Sequence, residues 1–184
     1  MRIHLLRHTR PDIPEGICYG QTDVDVLTTF QVEKEIAVQN LEGLNYDLVF
    51  SSPLQRCLKL AQNIVFNPDD ILVDERLKVL HFGEWEMKPW SEIEQTKEAR
   101  KWFENYMSIP APGGESYETL MNRVQDFIKG LQELDKCKEC LIVCHKGVII
   151  AFKAIINQEV ISEELFKLEI GFGEVLSLEL KHKI

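Results

Sequence analysis

Positive charge is in short supply in this chain: 21 Lys and Arg stand against 30 Asp and Glu, a formal net charge of -9 over 184 residues. That balance argues against a nucleic-acid partner, whose binders carry a basic footprint, and against docking on an anionic membrane. Long apolar runs are missing too, and none approaches the roughly 20 residues that cross a bilayer. With 10 glycines and 7 prolines, the composition is not that of a fibrous or low-complexity protein. The stretch from Met1 to Arg10 mixes charge into a short apolar run and lacks a secretory h-region, so a cytoplasmic protein is expected. Five cysteines at irregular spacing make a poor disulfide framework. Cys137, Cys140, Cys144 and His145 lie close together, but the C-x-x-C pair has no second pair to complete a structural zinc site. Cys140 and Cys144 also fall in an apolar run, where free cysteine packs as a small hydrophobe. Core packing is the expected role and a metal or redox module the alternative; no cofactor and no metal are expected.

What is present is an alternation of short strands and amphipathic helices. Ile3 to Leu6, Leu48 to Phe50, Ile71 to Val73 and Leu141 to Cys144 read as buried strands. Leu165 to Ile170 and Val175 to Leu180 suggest two more, joined through Gly171-Phe172-Gly173. Ser51-Ser52-Pro53 reads as a serine cap with proline at the first helical position, followed by Leu54, Leu58, Ala61 and Val65 at helical spacing. Helices are likewise expected over Ser116 to Leu134 and Val148 to Ile156. With no linker, repeat or charged tail, the chain reads as one domain over 1–184, an α/β sandwich around a mainly parallel sheet. In such sheets ligands bind beyond the carboxyl ends of the strands.

Those ends carry chemistry. Arg7-His8-Thr9 follows the first strand, Ser51-Ser52-Pro53-Leu54-Gln55-Arg56 the second, and His145-Lys146-Gly147 the fourth. Each of these residues alone has an ordinary reading, as a solvated loop pair, an ion-paired helix arginine or a core histidine. Together they place two histidines and two arginines on one sheet edge. Neutral imidazole is a nucleophile and guanidinium matches phosphate oxygens in paired hydrogen bonds. The set describes phosphoryl transfer in which arginine supplies the charge stabilisation often given to magnesium.

These segments, with Phe82-Gly83-Glu84-Trp85-Glu86 and Pro112-Gly113-Gly114-Glu115-Ser116, resemble the ordered motifs of the histidine phosphatase superfamily, the phosphoglycerate-mutase-like proteins. The resemblance covers nearly the whole chain and implies a three-layer α/β/α sandwich. Cys18-Tyr19-Gly20-Gln21-Thr22-Asp23 further resembles the α-ribazole phosphatase group, which implies α-ribazole 5′-phosphate as substrate and a place in cobalamin assembly. By resemblance His8 becomes phosphohistidine, while Arg7, Arg56 and His145 cradle the phosphoryl oxygens, with His145 a candidate charged donor. Thr9, Gln21, Glu115 and Ser116 are the candidate substrate-binding residues. The expected partner is a small phosphorylated substrate. A broader sugar or nucleotide phosphatase, a mutase and a non-catalytic phosphate-binding regulator are the alternatives.

One position departs from the family pattern. Relatives carry a glutamate four residues before the glycine of Phe-Gly-x-Trp-Glu as general acid, and here that position is Val79. Three explanations stay open: Glu84, Glu86 or His81 supplies the proton, with Glu84 carried as the candidate catalytic acid; the substrate has a better leaving group; or the protein binds phosphate without turnover. Lys146 is expected to point to solvent, or else to add charge at the phosphate rim. Arg123 is expected to form a structural ion pair. Trp85, Trp90, Trp102, Phe103 and Tyr106 are expected in the core, with a hydrophobic wall for an aromatic substrate as the competing role.

Overall fold

The computed structural model describes residues 1–134 and 137–181. Its central sheet contains β1 (Arg2–Arg7), β2 (Leu48–Ser51), β3 (Ile71–Val73), β4 (Glu139–Cys144) and β5 (Val175–Glu179), in spatial order β3-β2-β4-β1-β5. All neighbours run parallel except β5, which pairs antiparallel with β1. The helices are α1 (Phe30–Asn40), α2 (Gln55–Ile64), α3 (Trp90–Ile93), α4 (Lys97–Glu104), α5 (Tyr117–Gln132), α6 (Lys146–Asn157) and α7 (Glu163–Phe166).

Side-chain alternation explains the layering. Cys140, Ile142 and Cys144 of β4 join one core cluster, while Leu141 and Val143 join a second. A strand buried on both faces distributes its side chains with this period of two. α5 and α6 close the first face with residues such as Leu120, Val124, Phe127, Ile149 and Phe152. Ala37 of α1 and Cys57, Leu60 and Ala61 of α2 close the second. The architecture is the expected three-layer α/β/α sandwich, and Cys140 and Cys144 are buried in its centre. No helix among the described residues is long and apolar enough to cross a membrane.

Two local expectations are corrected. Leu165 to Ile170 is not a strand but the end of α7 and an irregular stretch. The Leu165 N–H donates to Ser162 Oγ at 3.3 Å, a cap that opens a helical turn, and the free edge of β1 is occupied by β5. The second correction concerns the Ser-Pro signal. Ser51 ends β2 and α2 begins only at Gln55, because Ser52 Oγ takes a long 3.4 Å contact from Leu54 N–H and lies closer, 2.9 Å, to His145 Nε2. The hydroxyl expected to cap a helix is used by the site. α1 carries no apolar stripe to announce it, since Ala37 is its one buried residue.

Candidate active site

Three adjacent parallel strands end at the same level. Register pairs Arg7 with Cys144 and Ser51 with Val143. The ladder runs one residue further, with His8 N–H donating to Cys144 O and Ser52 N–H to Val143 O, both at 3.0 Å. The residues that follow the strands, His8, Ser52 and His145, are thereby brought side by side. The ring centroids of His8 and His145 are 5.0 Å apart, and the two residues are 3% and 1% exposed.

The orientation of His8 follows from one bond. Its Nδ1 lies 2.6 Å from Thr9 O, and because a carbonyl only accepts, Nδ1 carries the hydrogen. Nε2 is left with its lone pair, as a nucleophile requires. Burial pushes the His8 pKa well below its ordinary value, and the Arg56 and Arg7 charges push it further, so the ring stays neutral. The same holds for His145: burial lowers its pKa most, followed by His8 and the guanidiniums of Arg56, Arg123 and Arg7. A charged His145 is therefore disfavoured until an anion enters.

The two arginines are held by carbonyls and rings. Arg56, in the first turn of α2, is fully buried and donates to Gly20 O at 2.7 Å and Thr22 O at 3.2 Å, with Tyr19 stacked 5.4 Å away. Arg7 donates to Ile170 O at 2.5 Å and lies 3.8 Å from the centre of the Phe172 ring. Among the described residues neither guanidinium has a carboxylate within 4.0 Å, and Arg7 Nε, Arg56 Nε and Thr9 Oγ1 are buried without a protein partner. Burying unpaired cationic donors is costly. An oxyanion beside His8 offsets that cost.

A second layer holds the loops. Glu86 receives Gln21 N–H at 2.9 Å, Thr22 N–H at 2.5 Å, Phe82 N–H at 3.1 Å and the Thr22 hydroxyl. It thus ties the loop whose carbonyls grip Arg56. Gly20 is required at this crossing, because a Cβ there would lie 2.3 Å from Leu80 O and 2.7 Å from Glu86 Oε1. Arg123 is the structural ion-pair residue expected of it, donating to the carbonyls of Arg76, Lys78 and Val79 and to Glu115 Oε1 at 2.7 Å. Gln21 Nε2 reaches the same Val79 carbonyl at 3.0 Å, so Gln21 and Glu115 meet there. Gly83 (φ +55°) turns the chain where a Cβ would lie 2.1 Å from Pro112 O.

Of the expected site residues, His8, Arg7, Thr9, Arg56 and His145 come together, and Gln21 and Glu115 form the adjoining layer. Ser116 caps α5, accepting from Thr119 N–H at 3.2 Å. Glu84 is exposed and packs beside Gly113. Glu86 is committed to its loop, and His81 Nε2 lies 3.8 Å from it. Lys146 is partly buried, its pKa lowered by burial and then by the Arg7 charge, against the opposing charge of Glu169. Residues not singled out for the site are Ser52, Tyr19, Phe172 and Cys57, whose Sγ is 3.4 Å from His145 Nε2. The flanking glycines of Phe172 were its available signal.

A cavity of about 600 Å³ adjoins this layer, lined by Val79, Leu80, Phe82, Trp90, Trp102, Phe103, Tyr106, Tyr117, Gly147 and Phe166, with Glu94 and Lys167. Its lining includes Gly147, which lies in the first turn of α6 two residues after His145 and whose carbonyl accepts from the Tyr117 hydroxyl at 2.8 Å. The expected core role holds for Trp85 and Trp102, with Trp90 and Tyr106 packed against that core, while Trp90, Trp102, Tyr106 and the exposed Phe103 also line the cavity.

Comparison with known proteins agrees with this geometry. Residues 3–183 match the family described as Histidine phosphatase superfamily (branch 1). Adenosylcobalamin/alpha-ribazole phosphatase of Escherichia coli is 27% identical over 155 residues, 81% of this chain and 75% of that protein. Phosphoserine phosphatase 1 of Hydrogenobacter thermophilus is 24% identical over 149 residues, 79% of this chain and 71% of that protein. In structure, the alpha-ribazole phosphatase of Shigella flexneri superposes with a TM-score of 0.88 at 22% identity, covering 100% of this chain and 92% of the other.

Proposed function

This chain belongs to the histidine phosphatase superfamily and is a phosphatase, and from that premise we propose that it hydrolyses phosphomonoesters of small aromatic compounds through a phosphohistidine at His8. The observation that carries the reading is the free Nε2 of a buried, neutral His8 beside two guanidiniums that form no ion pair among the described residues. Nε2 attacks phosphorus, the ester oxygen leaves with the bonding pair, and water then displaces Nε2 to release phosphate. As charge spreads over the phosphoryl oxygens, Arg7, Arg56 and Thr9 Oγ1 donate to them, and the approaching anion favours a proton on His145. These donors supply the charge stabilisation, so the chemistry calls for no metal.

The apolar cavity supports an aromatic non-phosphate half. The benzimidazole of α-ribazole 5′-phosphate fits such walls, and the indole N–H of Trp102, buried without an acceptor, offers one hydrogen bond. Phosphoserine carries an ammonium and a carboxylate, and of this lining only the exposed Glu94 and Lys167 could pair with them. The test incubates the protein with α-ribazole 5′-phosphate, phenyl phosphate and phosphoserine, and looks for an acid-labile phosphoenzyme. Expected are a label on wild type, none on His8→Ala, and turnover of the aromatic esters above phosphoserine. A labelled His8→Ala protein refutes the mechanism, and preference for phosphoserine refutes the substrate class.

A further inference from the structure

The cavity that would receive the leaving half of the substrate contains little that can protonate it. Its lining includes Val79, Tyr117 and Gly147, the last of these two residues after His145. Val79 has no proton to give. The Tyr117 hydroxyl already donates to Gly147 O at 2.8 Å, and burial raises its pKa far above the ordinary phenol value. Among the described residues no imidazole lines the cavity, and its two charged side chains, Glu94 at the end of α3 and Lys167 after α7, are both exposed. Glu115, the carboxylate nearest Val79, accepts from Arg123 Nη2 at 2.7 Å, Arg123 Nε at 3.3 Å and His81 N–H at 3.0 Å, so its oxygens are taken as acceptors. Beside His8, the guanidiniums hold their protons throughout the working pH range, and in the proposed mechanism the proton that the anion draws onto His145, whose Nε2 lies 2.9 Å from Ser52 Oγ, serves the phosphoryl oxygens rather than the leaving oxygen.

We infer that this phosphatase is specific for esters whose leaving oxygen departs without protonation: phosphates of phenols and other acidic hydroxyls, with the aromatic body seated against Val79, Trp102, Tyr106 and Phe166. The inference rests on the phosphohistidine reading and sharpens its substrate class. The step balances without an acid. Nε2 of His8 bonds to phosphorus, the P–O bond breaks, and the phenolate leaves with the electron pair. Water then bonds to phosphorus as the N–P bond returns its pair to Nε2. Of the water's two protons, one stays on the phosphate and the other reaches the phenolate through solvent. A sugar or serine alkoxide is a far worse leaving group on this route. An α-ribazole ester, bound for its base, would be turned over faster than phosphoserine but far more slowly than a phenyl ester.

The test compares phenyl phosphate with benzyl phosphate, which share a ring and differ in the acidity of the leaving oxygen. Losing a positioned acid costs about 10²–10⁴-fold, so kcat/KM for phenyl phosphate should exceed that for benzyl phosphate by about 100-fold or more. Across substituted phenyl phosphates, the rate of phosphoenzyme formation should fall steeply as the phenol becomes less acidic. Val79→Glu and Val79→Asp should raise benzyl phosphate turnover relative to phenyl phosphate and flatten that dependence. Rates for the two esters within about tenfold, or a flat dependence in wild type, overturn the inference while leaving phosphohistidine chemistry standing. No phosphoenzyme from either ester removes the phosphatase reading and this inference with it.

Discussion

Glu86→Gln is the sharpest perturbation of this site that touches no reacting atom. The Glu86 carboxylate is 8% exposed. It accepts Gln21 N–H and Phe82 N–H on Oε1, and Thr22 N–H and the Thr22 hydroxyl on Oε2. Glutamine keeps one acceptor oxygen and turns an NH2 group toward backbone N–H donors on the other side. Hydrogen bonds to charged groups contribute about 1.5–3 kcal/mol against about 0.5–1.5 for neutral ones, and a stranded buried donor adds its own cost. The expected loss is about 2–4 kcal/mol, a fall in Tm of about 5–15 °C for a chain of this size. Thermal or urea unfolding reads it directly. The loop that slackens supplies the Gly20 and Thr22 carbonyls that hold Arg56, so kcat/KM should fall by up to about 100-fold, the scale of a small misplacement of a positioning group. The variant also loses a pH dependence. The four bonds hold the Glu86 pKa below its ordinary value against the opposing effect of burial. Wild type therefore has this stability in full above the ordinary glutamate pKa and loses it as pH falls through the lowered one. Glu84→Gln, on an exposed side chain, is the control and should change neither measurement. If Glu86→Gln melts with wild type, the tie between the loops is refuted. If it loses kcat with full stability, Glu86 is a proton donor instead.

Because the His8 pKa is lowered well below 6.5, kcat/KM should stay level as pH falls from 7.5 through 6.5 and drop only at more acidic pH; a half-drop at pH 6.5 contradicts the buried neutral ring. Stability has the same sign, since unfolded histidine takes up a proton first, so the fold weakens as pH falls below about 6.5. Arg7→Lys gives up the ring contact with Phe172 and the paired donors of guanidinium, and should lower kcat/KM by about 100-fold in steady-state assays. Met87 holds φ at +67° on an exposed turn, so Met87→Gly should relieve backbone strain and stabilise by about 0.5–1 kcal/mol in urea titration. Inorganic phosphate should bind with net proton uptake at neutral pH, because the anion opposes the burial and the cationic charges that keep His145 neutral; calorimetry in two buffers of different ionisation enthalpy measures it.

The site was legible where chemistry sits next to a strand in sequence. His8, His145 and Arg56 each follow an apolar run, and strand order then brings them together. It was not legible where one residue had two competing partners. Ser52 has the sequence of a helix cap, and only the position of His145 across the strand ends turns its hydroxyl elsewhere. Glu84 and Glu86 are two apart in one tight turn, and the left-handed Gly83 before them determines which faces inward. The segment before α7 failed for a related reason: Leu165 and Ile170 are apolar because they pack on the core, and burial alone does not distinguish strand from helical turn. Phe172 lies far along the chain from Arg7, and β5 pairing with β1 is what brings the preceding loop under the guanidinium.

The scarcity of positive charge takes on a different meaning once the cations are located. At the surface they are neutralised in place: Arg2 with Glu179, Lys59 with Asp25, Arg76 with Asp74, Lys153 with Glu159. Exposed pairs of this kind contribute little to stability, and beyond a Debye length of about 8 Å the net charge of -9 is largely screened. Arg7 and Arg56 are treated differently, with carbonyls and aromatic faces in place of carboxylates. Carbonyls orient a guanidinium without forming an ion pair with it, and Glu174 on Arg7 and Asp23 and Glu86 on Arg56 act only from a greater distance. Burial first, and then the arginine charges, lower the His8 pKa, while the Thr9 carbonyl fixes the hydrogen on Nδ1. In the proposed mechanism the cations that help keep the ring neutral also bind the phosphoryl group, and a carboxylate partner for either arginine would weaken both effects together.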